Sequence, residues 1–179
     1  TILSYMATAV ISASEAMHYL QHLFHSLNLI WATIILLAAF MILSIIGIGE
    51  SAIVAVGIFI FHMLTLVLLV VVAIWFIATH GLSIFSENWH LPITSGSIKN
   101  ALFFGFAAAM LGISGFESSA NFVEEQMPGV FPKTLRNMWI AVSVFNPLIA
   151  LLILAVLPIA QIGEHKESLL AFMGETTGG

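Results

Sequence analysis

From Leu29 to Ile48 the chain carries no charged side chain, and from Ala52 to Ile77 its single ionisable group is His62. A helix crosses a hydrocarbon core about 30 Å thick with roughly 20 apolar residues. Both runs are long enough, and neither offers the polar stripe that a helix on the surface of a soluble protein needs. Composition points the same way: 60% of residues are hydrophobic and 7% are charged, where a soluble domain carries roughly 25% charged residues. The mean hydropathy is +1.11. These features exclude a water-soluble fold and predict an all-α integral membrane protein embedded in a lipid bilayer.

Three further stretches complete the pattern, so that spans are expected at about 1–17, 29–48, 52–77, 101–123 and 137–159 of a single transmembrane domain. The first is interrupted by Glu15 and leads into His18, His22 and His25, which suggests an interfacial turn or short helix. The second closes at Gly47-Ile-Gly49-Glu50, and the third ends in Trp75-Phe76, an aromatic pair suited to the headgroup level. Pro147 and Pro158 fall along the last span, and the tail from Gln161 onward is weakly amphipathic. Both ends read as truncations. The positive-inside rule places the Glu124 to Arg136 turn, with Lys133 and Arg136, on the cytoplasmic side. A zigzag from that turn leaves Glu50 and Pro128 inside and His22, Trp89 and His165 outside.

Several chemistries are excluded outright. Without cysteine there are no disulfides, thiolate metal sites or Cys nucleophiles. Four Lys and Arg residues cannot form a nucleic-acid footprint. His18, His22 and His25 fall at i, i+4 and i+7, a spacing that could ligate zinc from one helix face, but only Glu15 adds to the donor set. Interfacial histidines are the simpler reading, and no metal or other cofactor is expected.

The segment Gly112-Ile-Ser-Gly115-Phe-Glu117-Ser-Ser carries the most chemistry. Glycines and serines weaken a helix where the bilayer offers no water, and such backbone is tolerated only when buried in protein or lining a wet cavity. Transporters use such breaks to bind the polar ends of a substrate. Close packing between helices is the alternative use of the same glycines. Glu117 favours the functional use, because a carboxylate near mid-membrane costs about 2.5 to 3.5 kcal/mol and such residues usually pair, line a pathway or relay protons. His62, near the centre of its span, is either a packing residue or a proton-coupling group, since imidazole changes charge near neutral pH.

Taken together, Gly115-Phe-Glu117-Ser-Ser-Ala-Asn121-Phe-Val-Glu124-Glu125, with Pro128, Pro132-Lys133 and Arg136 after it, closely resembles the sixth-helix signature of the amino acid/polyamine/organocation permease superfamily. Gly47-Ile-Gly49-Glu50-Ser51-Ala52 is similar to the junction between that family's fourth and fifth helices, with Gly49 where an Arg is common. Ile11-Ser-Ala-Ser-Glu15 to Leu23 is similar to the end of its third helix. The resemblance implies a LeuT-type inverted-repeat transporter fold, of which this fragment covers about helices 3 to 7. It also implies that Gly112, Ile113, Ser114, Gly115 and Phe116 form the unwound, substrate-binding part of the sixth helix, with Glu117 in gating or proton coupling. Two positions depart from the family pattern. Leu111 stands where an aromatic side chain often covers the substrate, and His62 stands where many proton-coupled members carry a fifth-helix Lys.

The function expected from these features is secondary active transport of an amino acid or related amine by alternating access, driven by protons or by exchange, and located in the plasma membrane. No enzymatic activity is expected. The alternative from another class is a membrane redox subunit with histidine-ligated haem. It requires histidines on two helices at matched depth, and His62 lacks an evident partner. A membrane scaffold without transport activity is a third reading.

Overall fold

The computed structural model describes residues 2–92, 96–111, 116, 120 and 123–178, and all regular structure among them is helical. In chain order the helices are α1 (Ile2–Leu23), α2 (Leu29–Ile46), α3 (Ile48–His80), α4 (Ser83–Trp89), α5 (Ile98–Leu111), a 3-10 turn (Val123–Glu125), α6 (Val130–Val156), α7 (Ile159–Glu164) and α8 (Leu169–Gly178). Two compact units form: one from 1–82 with 156–179, the other from 83–155.

In the first unit, α1 packs on α2, α2 on α3, and α3 on α8. Asn28 starts α2 by accepting a hydrogen bond from the Trp31 amide at 3.3 Å, which satisfies one of the free amides of the first turn. The α2–α3 break falls at Gly47 alone, so that Gly49 and Glu50 belong to the first turn of α3. The span expected to stop at Trp75-Phe76 continues to His80, whose ring stacks on Phe76 with centroids 4.2 Å apart. Gly81, at φ 82°, then ends α3 and donates its amide to the Ile77 carbonyl at 2.8 Å. That left-handed backbone is where glycine is favoured. Thr33, buried in α2, donates its hydroxyl to the Leu29 carbonyl at 2.8 Å, so it carries no unsatisfied group into an apolar setting.

The polar stretch after the first apolar run is not a separate turn or short helix. It continues α1 to Leu23, because nothing from His18 to Leu23 breaks a helix. His18 and His22 therefore ride on α1, while His25 lies in the following turn. Gln21 pins that turn, its side-chain amide donating to the Leu27 carbonyl at 3.0 Å. The tail is likewise more structured than an amphipathic strip. Pro158 opens α7 instead of lying within the preceding span, and α8 returns to α3. Val156, Leu157 and Met173 are the largest fully buried side chains of this unit.

The second unit holds α4, α5 and α6 as far as Ala155. Ser97 caps α5 by accepting from the Asn100 amide at 3.2 Å. α6 runs from Val130 to Val156. Gly129 turns the chain at φ 82°, and Pro132 sits in the first helical turn, where a missing amide costs nothing. Lys133 and Arg136 are thereby part of α6 and not of a loop. Pro147 lies inside α6 and leaves the Ser143 carbonyl without its usual donor.

Three helices among the described residues are long and apolar enough to cross a membrane: Leu29–Ile46, Ala52–His80 and Val130–Val156. Ile98–Ala109 is a shorter apolar helix. Residue after residue on α2 and α3 exposes a large apolar side chain, including Ile35, Phe61 and Trp75. Such continuous apolar surface suits contact with lipid or with other apolar helices and not with water.

Candidate functional site

The residues to which the sequence assigns substrate binding and coupling fall into three groups. Gly112, Ile113, Ser114, Gly115 and Glu117 lie outside the described residues. Leu111 closes α5, and Phe116 is half-buried. His62 is fully described: it lies on α3 and is exposed into a groove of about 700 Å³.

That groove has an almost wholly apolar wall. Phe61, Leu66, Leu69 and Val72 come from α3, Tyr19 and Leu23 from α1, and Leu170 and Gly174 from α8. Its walls exist because α8 lies close against α3, where a Cβ at Gly174 would meet Leu69 Cδ1 at 3.5 Å. Thr65, one turn beyond Phe61, gives its hydroxyl to the Phe61 carbonyl at 2.9 Å. Among the described residues that line the groove, His62 is the one imidazole, with no second histidine for paired axial ligation. Tyr19, beyond the first apolar stretch, closes one end. Burial pushes its hydroxyl above the ordinary phenol range, the Leu170 backbone amide pulls the other way, and the nearby charge of Glu15 adds to the rise.

A second cavity, about 430 Å³, opens at the C-terminal end of α1 and is polar. His18, His22 and His25 face Glu164, His165 and Glu167 of the returning tail across it. Nδ1 of His18 lies 3.5 Å from Oε2 of Glu167, and Nε2 of His22 lies 3.8 Å from Oε2 of Glu175. His165 stacks on Phe172 with ring centroids 3.8 Å apart and planes 13° from parallel. The sequence places His22 and His165 on one side of the membrane, and here they line one cavity. The pairing itself has no sequence signal, because its partners are about 150 positions apart. Among the described residues no group of three or more histidine or acidic side chains is placed to hold a metal ion.

The profile of the amino acid permease family matches residues 1–179, the whole of this sequence. Neither a curated protein nor a solved structure gives a match. The apolar helices, the glycine-interrupted acidic segment and the Gly47 junction are accounted for together by that one finding: the chain belongs to the amino acid permease family, as an integral membrane protein.

Proposed function

We propose that this chain is part of a secondary active transporter that carries an amino acid or a related amine across the plasma membrane by alternating access. The observation that carries the reading is the family match along the whole chain, which extends over both sequence motifs. In this reading the chain supplies helices 3 to 7 of a LeuT-type inverted repeat, with spans at 1–17 and 101–123 added to the three long apolar helices.

Gly112, Ile113, Ser114, Gly115 and Phe116 bind substrate through backbone groups of this glycine-rich stretch. Free amides at a helix N-terminus attract a carboxylate, and free carbonyls at a C-terminus attract an ammonium. Glu117 gates the site or carries the coupling proton, since an acid at that depth is expensive unless it pairs or titrates. His62, on α3, supplies a second titratable group to the proposed machinery, in a wall that is mostly apolar. Leu111 covers the substrate less completely than an aromatic side chain would.

The test is uptake by the intact permease in proteoliposomes, with and without an inward proton gradient, for wild type, Glu117→Gln and His62→Ala. Gradient-driven uptake that is lost in Glu117→Gln and reduced in His62→Ala supports proton linkage through these residues. Uptake indifferent to the gradient and to both substitutions rules it out.

A further inference from the structure

The polar cavity at the end of α1 is not used by the transport reading, yet it joins two parts of the chain through titratable pairs. We infer that His18 and His22 form a pH-sensitive clasp that holds the α7–α8 tail against the end of α1 through Glu167 and Glu175, tight when the imidazoles are protonated and loose when they are neutral.

The geometry makes the attraction depend on charge. Separations of 3.5 and 3.8 Å exceed the 2.7–2.9 Å of a direct charge-assisted hydrogen bond. A neutral imidazole at these distances gains little from the carboxylate, whereas an imidazolium is attracted across the gap. Imidazole is the side chain whose charge ordinarily changes between pH 5 and 8. The two pairs are also spaced to act together. His18 and His22 are one helical turn apart on α1, and their partners lie before and within α8, so the clasp spans the start and the far end of that short helix.

The surrounding groups set the sign. On α1, Glu15 stands one turn before His18, and burial pushes the Tyr19 hydroxyl above the ordinary phenol range. On α2 there is no ionisable residue. From α3 the nearest titratable group is His62, which faces the apolar groove beside Tyr19 and Leu170. The tail contributes Glu164, His165 and Lys166 to the same cavity, and His25 approaches from the turn after α1. Carboxylates thus stand on both sides of the two histidines, and the Lys166 ammonium is the cation beside them, with the His25 imidazole lining the same cavity. His165 stacks on Phe172 within the tail, so its contribution does not pass through α1. The side chains of Glu167 and Glu175 are 59% and 69% exposed; salt therefore weakens the clasp.

The experiment is hydrogen exchange of residues 159–178 in the intact permease in lipid nanodiscs, expressed as protection factors at pH 5.5 and 7.5. Wild type is expected to show protection roughly fivefold higher at pH 5.5, the size that two partly exposed ion pairs support. The step is expected to vanish in His18→Gln/His22→Gln and equally in Glu167→Gln/Glu175→Gln, and to shrink in high salt. The second double variant guards against a folding defect specific to the first. Equal protection at both pH values in wild type, or a step that persists in either double variant, overturns the clasp. Neither readout depends on transport, so the inference stands or falls separately from the proposed function.

Discussion

The side-chain amide of Asn88 donates a hydrogen bond of 2.8 Å to the carbonyl of Leu154, whose own helical donor would have been the amide of residue 158, a proline. Pro158 has no N–H to give, and α6 ends at Val156. A carbonyl left bare at a helix end needs another donor, and α4 supplies it from 66 positions away.

This predicts that Asn88→Ala, and equally Asn88→Asp, which retains the shape but not the donor, destabilises the protein by about 0.5–1.5 kcal/mol, the net worth of a half-buried hydrogen bond. Thermal unfolding in detergent, followed by the loss of monodisperse protein, reads the difference. Unchanged melting in both variants would show that water replaces the amide at no cost.

The contact between α8 and α3 sets a size limit at Gly174. A Cβ there would meet Leu69 Cδ1 at an ordinary 3.5 Å, so Gly174→Ala is expected to be neutral or to stabilise by up to about 1 kcal/mol through helix propensity. Gly174→Phe cannot fit without moving α8, and a cost of about 1–3 kcal/mol is expected. The pair of melting temperatures, one unchanged or raised and one lowered, is the signature of a close helix approach.

Met173 and Leu157 anchor the tail in the first unit, each with no exposed surface. Met173→Ala removes most of a buried side chain, and a loss of about 2–5 kcal/mol is expected. Because α8 is short, the loss is expected to appear first as local release. Limited proteolysis should cut between 159 and 178 sooner in the variant than in wild type, while α2 and α3 remain intact.

Much of the helical layout was legible in the residues. The charge-free run 29–48 is α2 within two residues, and the Gly47 motif is where α2 gives way to α3. Helix ends were less legible, for physical reasons that differ from site to site. The histidine-bearing segment after residue 17 contains no breaker, so α1 continues through residues that look interfacial by polarity. Pro132 marks a turn by composition, yet in a first helical turn its missing amide is harmless, and α6 starts at Val130. The tail was legible only as weakly amphipathic, because its partners on α1 are remote in sequence and no local period encodes them. The groove around His62 had no sequence signal, because it needed the packing of α8 on α3 to exist.

Transport of an amino acid or amine is the central proposal for this chain. The most direct measurement is uptake of a panel of labelled amino acids and amines by the intact permease reconstituted in liposomes. Saturable uptake of one chemical class is expected, competed by excess unlabelled substrate of that class and absent from protein-free liposomes. Folded, monodisperse, correctly inserted protein that moves none of them above the protein-free control would contradict it.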